Sequence, residues 1–153
     1  MSATFKVASS SDTELLLALM REFNEHERIE FVERDVRRAL AQILSDESLG
    51  RVWLIESGSE RAGYFILTLG FSLEFKGRDA FVDELYLRAE FRGRGFGKRA
   101  LEVAEADCRE LGVRALHLEV EHGNATAHEL YRRFGFKEHD RHLMTKWVEQ
   151  DEG

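Results

Sequence analysis

Apolar positions along this chain change their period several times, and each change marks an element. Thr4 to Ala8 alternates weakly and predicts a first strand. Ser11-Asp12-Thr13-Glu14 has the spacing of a capping box, in which the first hydroxyl and the fourth carboxylate satisfy each other's backbone N–H groups. Leu16, Leu19, Met20 and Phe23 follow at helical spacing, and so do Val36, Leu40, Ile43 and Leu44. Two helices are therefore predicted, joined by an acidic stretch from Glu22 to Asp35. Arg51 to Ser57, Arg61 to Leu73 and Ala80 to Arg88 read as three strands, the last two separated by a turn over Phe75 to Asp79. A glycine-rich turn then leads into a helix with Leu101, Ala104, Cys108 and Leu111 on one face and Gly112 at its C-cap. Val113 to Glu121 predicts a strand. Gly123-Asn124 opens a last helix bearing Ala127, Leu130, Tyr131 and Phe134, and Gly135 closes it. Phe136 to Val148 reads as one or two final strands. The order β-α-α-β-β-β-α-β-α-β-β is that of a mixed α/β domain.

At 153 residues the chain fits a single domain over 1–153, and no segment is biased enough in composition to mark a boundary. Its 43% hydrophobic and 33% charged residues fit a globular protein. No apolar run approaches the roughly 20 residues of a membrane span, and Met1 to Ser10 lacks the basic start and apolar stretch of a signal peptide. The expectation is a cytoplasmic protein without a membrane partner. A lone cysteine, Cys108, can form no internal disulfide and sits on an apolar helix face, where it is expected to be buried and inert. The net charge of −7 argues against nucleic acid as a partner, because neutralising phosphates needs a basic surface. It suits a cationic small molecule better.

Within this acidic chain one segment is basic: Arg92-Gly93-Arg94-Gly95-Phe96-Gly97-Lys98-Arg99, between a strand and a helix. Glycines there let the backbone turn sharply and approach a ligand closely. N–H groups at a helix start lack internal partners, and the positive end of the helix dipole lies there too, so the turn is an anion site. The dinucleotide fingerprint fails because Lys98 stands where its third glycine belongs. The P-loop pattern fails because Arg92 replaces its first glycine and Arg99 its magnesium-binding hydroxyl.

A second motif follows. Leu116-His117-Leu118-Glu119-Val120 precedes Asn124, and Ala127, Tyr131, Gly135 and Phe136 succeed it at fixed intervals. The R-G-x-G-x-G turn after Asp83-Glu84-Leu85-Tyr86-Leu87, together with this second pattern, resembles the GNAT family of N-acetyltransferases. The resemblance implies a splayed, mostly antiparallel sheet of six to seven strands flanked by about four helices. It implies acetyl-CoA as co-substrate and no metal. Leu85, Tyr86 and Leu87 would pair with the pantetheine arm in the gap between diverging strands. Arg92, Gly93, Arg94, Gly95, Phe96, Gly97 and Lys98 would hold the pyrophosphate. Asn124 would contact the cofactor, although an Asn at a helix start is also a preferred N-cap. Tyr131 would border the cofactor and protonate the leaving thiolate; as a helical residue it also reads as a core aromatic with a polar tip.

An alkylamine with a pKa near 10.4 must lose a proton to become a nucleophile, at a cost of about 4.6 kcal/mol at pH 7. Three carboxylates are candidates for the base, in the order Glu84, Asp83, Glu119. Asp83 and Glu84 are neighbours on a strand, so at most one faces an acceptor unless a bulge intervenes. Glu119 matches the Glu of an L-E-V segment that protein N-terminal acetyltransferases of the family use. The acidic residues Glu22, Glu25, Glu27, Glu30 and Glu33 lie where the family's acceptor site begins. The functional expectation is acetyl transfer to the primary amine of a small amine or polyamine. Acetylation of a protein N-terminus or lysine is the alternative, and a non-catalytic acyl-CoA-binding module is the alternative of another class. A homodimer is possible, through the Phe65–Phe75 strand or the C-terminal strands. Five of the six histidines cluster late in the chain without a zinc-enzyme pattern and read as surface or satisfied residues.

Overall fold

The computed structural model describes residues 2–150. One five-stranded sheet carries the chain. Its strands are β1 (Thr4–Val7), β2 (Gly50–Ser57), β3 (Glu60–Ser72), β4 (Gly77–Leu87) and β5 (Ala115–His117), adjacent in that order. The first three pairings are antiparallel, and β5 joins β4 in parallel. The helices are α1 (Thr13–Glu27), α2 (Glu33–Ser45), α3 (Phe96–Glu110) and α4 (Ala125–Phe134). The expected mixed α/β architecture with a mostly antiparallel sheet holds.

The sheet separates two apolar clusters. On one face Val52, Leu54, Tyr64, Ile66 and Tyr86 pack with Leu16, Leu19 and Met20 of α1 and Leu40 of α2. On the other, Phe65, Leu67, Ala80 and Val82 pack with Leu101, Ala104 and Cys108 of α3, and Leu130 and Tyr131 of α4 rest against them. Cys108 is buried as expected. A polar staple crosses this second face: Asp107 of α3 accepts hydrogen bonds from Arg51 and from Trp53 Nε1 on β2.

Alternation along β4 breaks in the middle. Ala80 and Val82 face α3, yet Glu84 and Tyr86, also even-numbered, face α1. The register explains the change. Ile66 pairs with Glu84 and Leu67 with Val82, which leaves Asp83 unpaired in a β-bulge. One extra residue reverses the facing of everything after it.

Several boundaries differ from the sequence expectation. The box at the entry to α1 lies two residues earlier: the Asp12 carboxylate accepts the Ser9 N–H at 2.9 Å across a 3₁₀ turn at Ser10–Asp12. The β3–β4 reversal falls before Gly77, with Lys76 at φ 69°. The strand expected over Val113–Glu121 is laddered only from Ala115 to His117, because β4 and β5 part after Phe81 meets His117. The strand pair expected over Phe136–Val148 does not form, so the sheet has five strands among the described residues rather than six or seven. Within that segment Arg141 is tied instead to Glu74 of the β3–β4 turn by two hydrogen bonds of 2.8 and 2.6 Å. No described helix is long and apolar enough to cross a membrane.

Candidate active site

Where β4 parts from β5, its backbone from Val82 to Leu87 has β3 on one side only. This open edge runs directly toward the glycine turn. Gly93 and Gly95 both take positive φ, 71° and 83°, which side-chain-bearing residues rarely adopt. A Cβ at either would meet no protein atom within 4 Å, so the space above the turn is free. Gly95 is the N-cap of α3, and the N–H groups of Phe96, Gly97 and Lys98 have no partner within the helix. A Cβ at Gly97 would meet Leu130 of α4 at 3.6 Å, an ordinary packing distance, so α4 lies against the start of α3 here. Arg92 is held by donating from Nε to the Leu87 carbonyl at 2.9 Å, and the Arg94 guanidinium lies over the rings of Phe91 and Phe96. An open strand edge with free amides, leading to a cationic, glycine-lined helix start, fits a long ligand with amide groups and a pyrophosphate. Acetyl-CoA has that form.

A cleft of about 220 Å³ sits at the inner end of this edge. Leu85, Tyr86, Leu87, Arg92 and Asn124 line it, together with Phe23, His26 and Glu27 from the C-terminal turn of α1. Five of the expected cofactor residues thus converge. Asn124 is the N-cap of α4, its Oδ1 accepting the Ala127 N–H at 3.1 Å, and it also lines the cleft. Glu27 was among the acids expected to border the acceptor site, whereas His26 was read only as a surface or satisfied histidine.

The carboxylates are sorted by the bulge. Glu84 is half-buried on the α1 face and accepts a 2.7 Å hydrogen bond from the buried Tyr64 hydroxyl. Burial raises its carboxyl pKa; the Tyr64 bond opposes this, and the nearby charge of Asp83 adds to the rise. Asp83 itself is exposed at the bulge, and loss of water on its sheet side raises its pKa as well. Glu119 is exposed, two residues beyond the end of β5, and does not line the cleft. Glu84 and Tyr131 are not among the cleft-lining residues either. Tyr131 is half-buried on α4, and its hydroxyl pKa is raised first by burial and then by the charge of Glu27, which places Glu27 within electrostatic reach.

The acidic stretch is less available than its composition suggests. Glu22 accepts two hydrogen bonds from Arg88, at 3.0 and 2.9 Å, and one from the Tyr86 hydroxyl at 3.0 Å. The Arg88 bonds chiefly hold its carboxyl below the ordinary range. Glu33 pairs with Arg21 and Arg37 on the surface. Of the five acids only Glu27 lines the cleft. Among the histidines, His117 pairs with Asp79 at 3.2 Å between the rings of Phe75 and Phe81, and His128 pairs with Glu138. No group of three or more His, Cys, Asp or Glu among the described residues is placed to hold a metal ion.

The pattern of the Acetyltransferase (GNAT) family matches residues 14–136. An uncharacterized N-acetyltransferase of Bacillus subtilis, YycN, is 38% identical over 63 residues, covering 41% of this chain and 40% of that protein. The thialysine N-epsilon-acetyltransferase of Bos taurus is 29% identical over 73 residues, 48% of this chain and 42% of that protein. The chain therefore matches only about two fifths of the length of these curated relatives. Among solved structures, an integron cassette protein from the mobile metagenome of Cole Harbour Salt Marsh is 36% identical with a TM-score of 0.84, covering 96% of this chain and 91% of that one. A predicted acetyltransferase from Clostridium acetobutylicum, solved with acetyl-CoA, shares the fold at 17% identity with a TM-score of 0.80, covering 95% and 96% of the two chains.

Proposed function

The chain belongs to the GNAT family of acetyltransferases, and from that premise we propose that it transfers an acetyl group from acetyl-CoA to the primary amine of a small cationic acceptor. The observation that carries the reading is the parting of β4 from β5 just before the Gly93–Gly97 turn, which leaves strand edge, anion site and cleft in one line.

Acetyl-CoA, when bound, supplies an activated acetyl thioester. Val82 to Leu87 offer backbone groups along its arm, and the turn with Arg92, Arg94 and Lys98 offers its N–H groups and charges to the pyrophosphate. Glu84 takes the proton that the ammonium must lose, directly or through water. Its raised pKa brings it closer to neutrality than an ordinary glutamate, which makes it a stronger base. Asp83, exposed beside it, discourages Glu84 from ionising and is the alternative base. Tyr131 keeps its proton at neutral pH and donates it to the departing thiolate.

Glu27 at the cleft supports a cationic acceptor, and Phe23 beside it offers an apolar wall for a short alkyl chain. One free carboxylate in the lining favours a monoamine or short diamine over a long polyamine. Lysine-like amino acids have the required form, and the thialysine enzyme among the relatives acts on one such amine. The test is release of free thiol from acetyl-CoA across a panel of lysine analogues, diamines, polyamines, aminoglycosides and peptides. Turnover greatest with small amines is expected. Turnover confined to peptides would favour the protein-acetylating alternative, and none with any amine would favour the binding-module alternative.

A further inference from the structure

Gly63 is buried in β3, opposite Leu87 at the end of the ladder with β4. Its backbone lies outside the left-handed region, so conformation does not call for a glycine here. Space does. A Cβ at this position would overlap the Tyr86 carbonyl oxygen and stand 2.9 Å from its carbon and 3.1 Å from the Leu87 Cα. A glycine inside a strand often marks such a close approach of another backbone. The atoms it meets are main-chain atoms, which yield only if the strand itself moves.

Other contacts draw β4 onto β3 at the same point. The Arg88 N–H donates to the Ala62 carbonyl at 2.8 Å, one residue past the ladder. Ala62 is itself the residue left out where the β2–β3 register slips, between the Ile55–Gly63 and Glu56–Arg61 pairs. The Arg88 side chain donates to the Arg61 carbonyl at 3.2 Å and to Glu22 of α1. The Tyr86 carbonyl and the Arg88 N–H both turn toward β3, so the polar groups of Leu87 between them turn the other way. The Leu87 carbonyl accordingly accepts from Arg92 on the open side.

We infer that Gly63 is a positioning residue for the cofactor. By letting the Tyr86–Leu87 peptide sink onto β3, it holds the end of β4 back from β5 and keeps the open edge clear for the acetyl-CoA arm. The ladder with β5 ends at Phe81 and His117, whereas the ladder with β3 runs on to Leu87, so β4 follows β3 and leaves β5. Gly63 does not line the cleft and acts through Tyr86 and Leu87, which do. A methyl group at Gly63 forces that peptide off β3, and the edge it carries shifts relative to the Gly93–Gly97 turn. The inference rests on the acetyl-CoA reading above.

The experiment is calorimetric titration of acetyl-CoA into the wild-type chain, Gly63→Ala and Gly50→Ala, each with a thermal scan. Gly50 is the control. A Cβ there would overlap the Leu67 carbonyl oxygen in the same way, and its φ of 150° adds backbone strain, but the clash lies between β2 and β3, one strand further from the open edge. Both variants should melt below the wild type. Gly63→Ala should weaken acetyl-CoA binding about ten-fold or more, and Gly50→Ala by less than about three-fold. Equal weakening in both would trace the loss to general loosening and overturn the inference, and so would unchanged affinity in a folded Gly63→Ala. Should Gly63→Ala fail to fold, Arg88→Ala carries the test, because it removes only the side-chain bonds to the Arg61 carbonyl and Glu22. About three-fold weaker binding is then expected, and unchanged affinity would overturn the inference. Absence of binding by the wild type would overturn the acetyl-CoA reading and this inference with it, whereas the variant outcomes bear on Gly63 alone.

Discussion

The Tyr64 hydroxyl donates to the Glu84 carboxylate across 2.7 Å from the neighbouring strand. Because Tyr64 is wholly buried and Glu84 faces it only through the bulge at Asp83, the bond fixes which way the proposed base points.

A hydrogen bond to a carboxylate favours its ionised form. Tyr64→Phe should therefore raise the pKa of Glu84 further, moving the acid limb of the kcat/KM profile upward from a position already above the ordinary 4.5 of a glutamate. A pH profile in the best acceptor checks this. An unmoved limb with reduced activity would make Tyr64 a packing residue only.

Glu84→Gln should lower turnover by about 10²–10⁴ and yet stabilise the fold. Glu84 has a folded pKa above its unfolded one, so its contribution to stability is present at low pH and lost as pH rises through the folded pKa. At pH 7 the neutral Gln avoids that loss, and a Tm gain of about 2–4 °C is expected for each kcal/mol recovered. Thermal scans at pH 7 and pH 4 test the sign, since the gain should shrink at pH 4.

Tyr131→Phe should cut turnover by about 10² or more while leaving acetyl-CoA affinity within a few-fold. Comparing single-turnover rates with cofactor titrations separates the two effects. Equal losses in both would make Tyr131 a binding residue.

Asp107→Ala removes the acceptor shared by Arg51 and Trp53. Breaking a fully buried ion pair costs about 3–5 kcal/mol, and Arg51 keeps some contact with water, so about 2–3 kcal/mol is expected here. Urea unfolding measures it, and a loss under 0.5 kcal/mol would show that the staple is dispensable.

Much of this arrangement was legible beforehand because it rests on local spacing. The glycine turn, the Asn124-to-Phe136 interval and the helix faces are short-range patterns. The bulge left a trace as well: the inward apolar positions of β4 run 80, 82, 85, 87, and the interval of three is the extra residue. Tyr64 was not legible as the partner of Glu84, because strand pairing sets that contact across 20 residues. Nor was the loss of Glu22 to Arg88 and Tyr86, which depends on where α1 ends against β4. The segment 136–148 has strand composition, but composition alone does not set pairing, and it forms no strand among the described residues.

The proposed function rests on the Gly93–Gly97 turn and the open edge of β4 holding acetyl-CoA. Calorimetric titration of the wild-type chain and of Gly95→Val tests it most directly. One-site binding by the wild type is expected, with loss in the variant at an unchanged circular dichroism spectrum, because a branched side chain at φ 83° would fill the space above the turn. No binding by the wild type, or equal binding by the folded variant, would contradict the account.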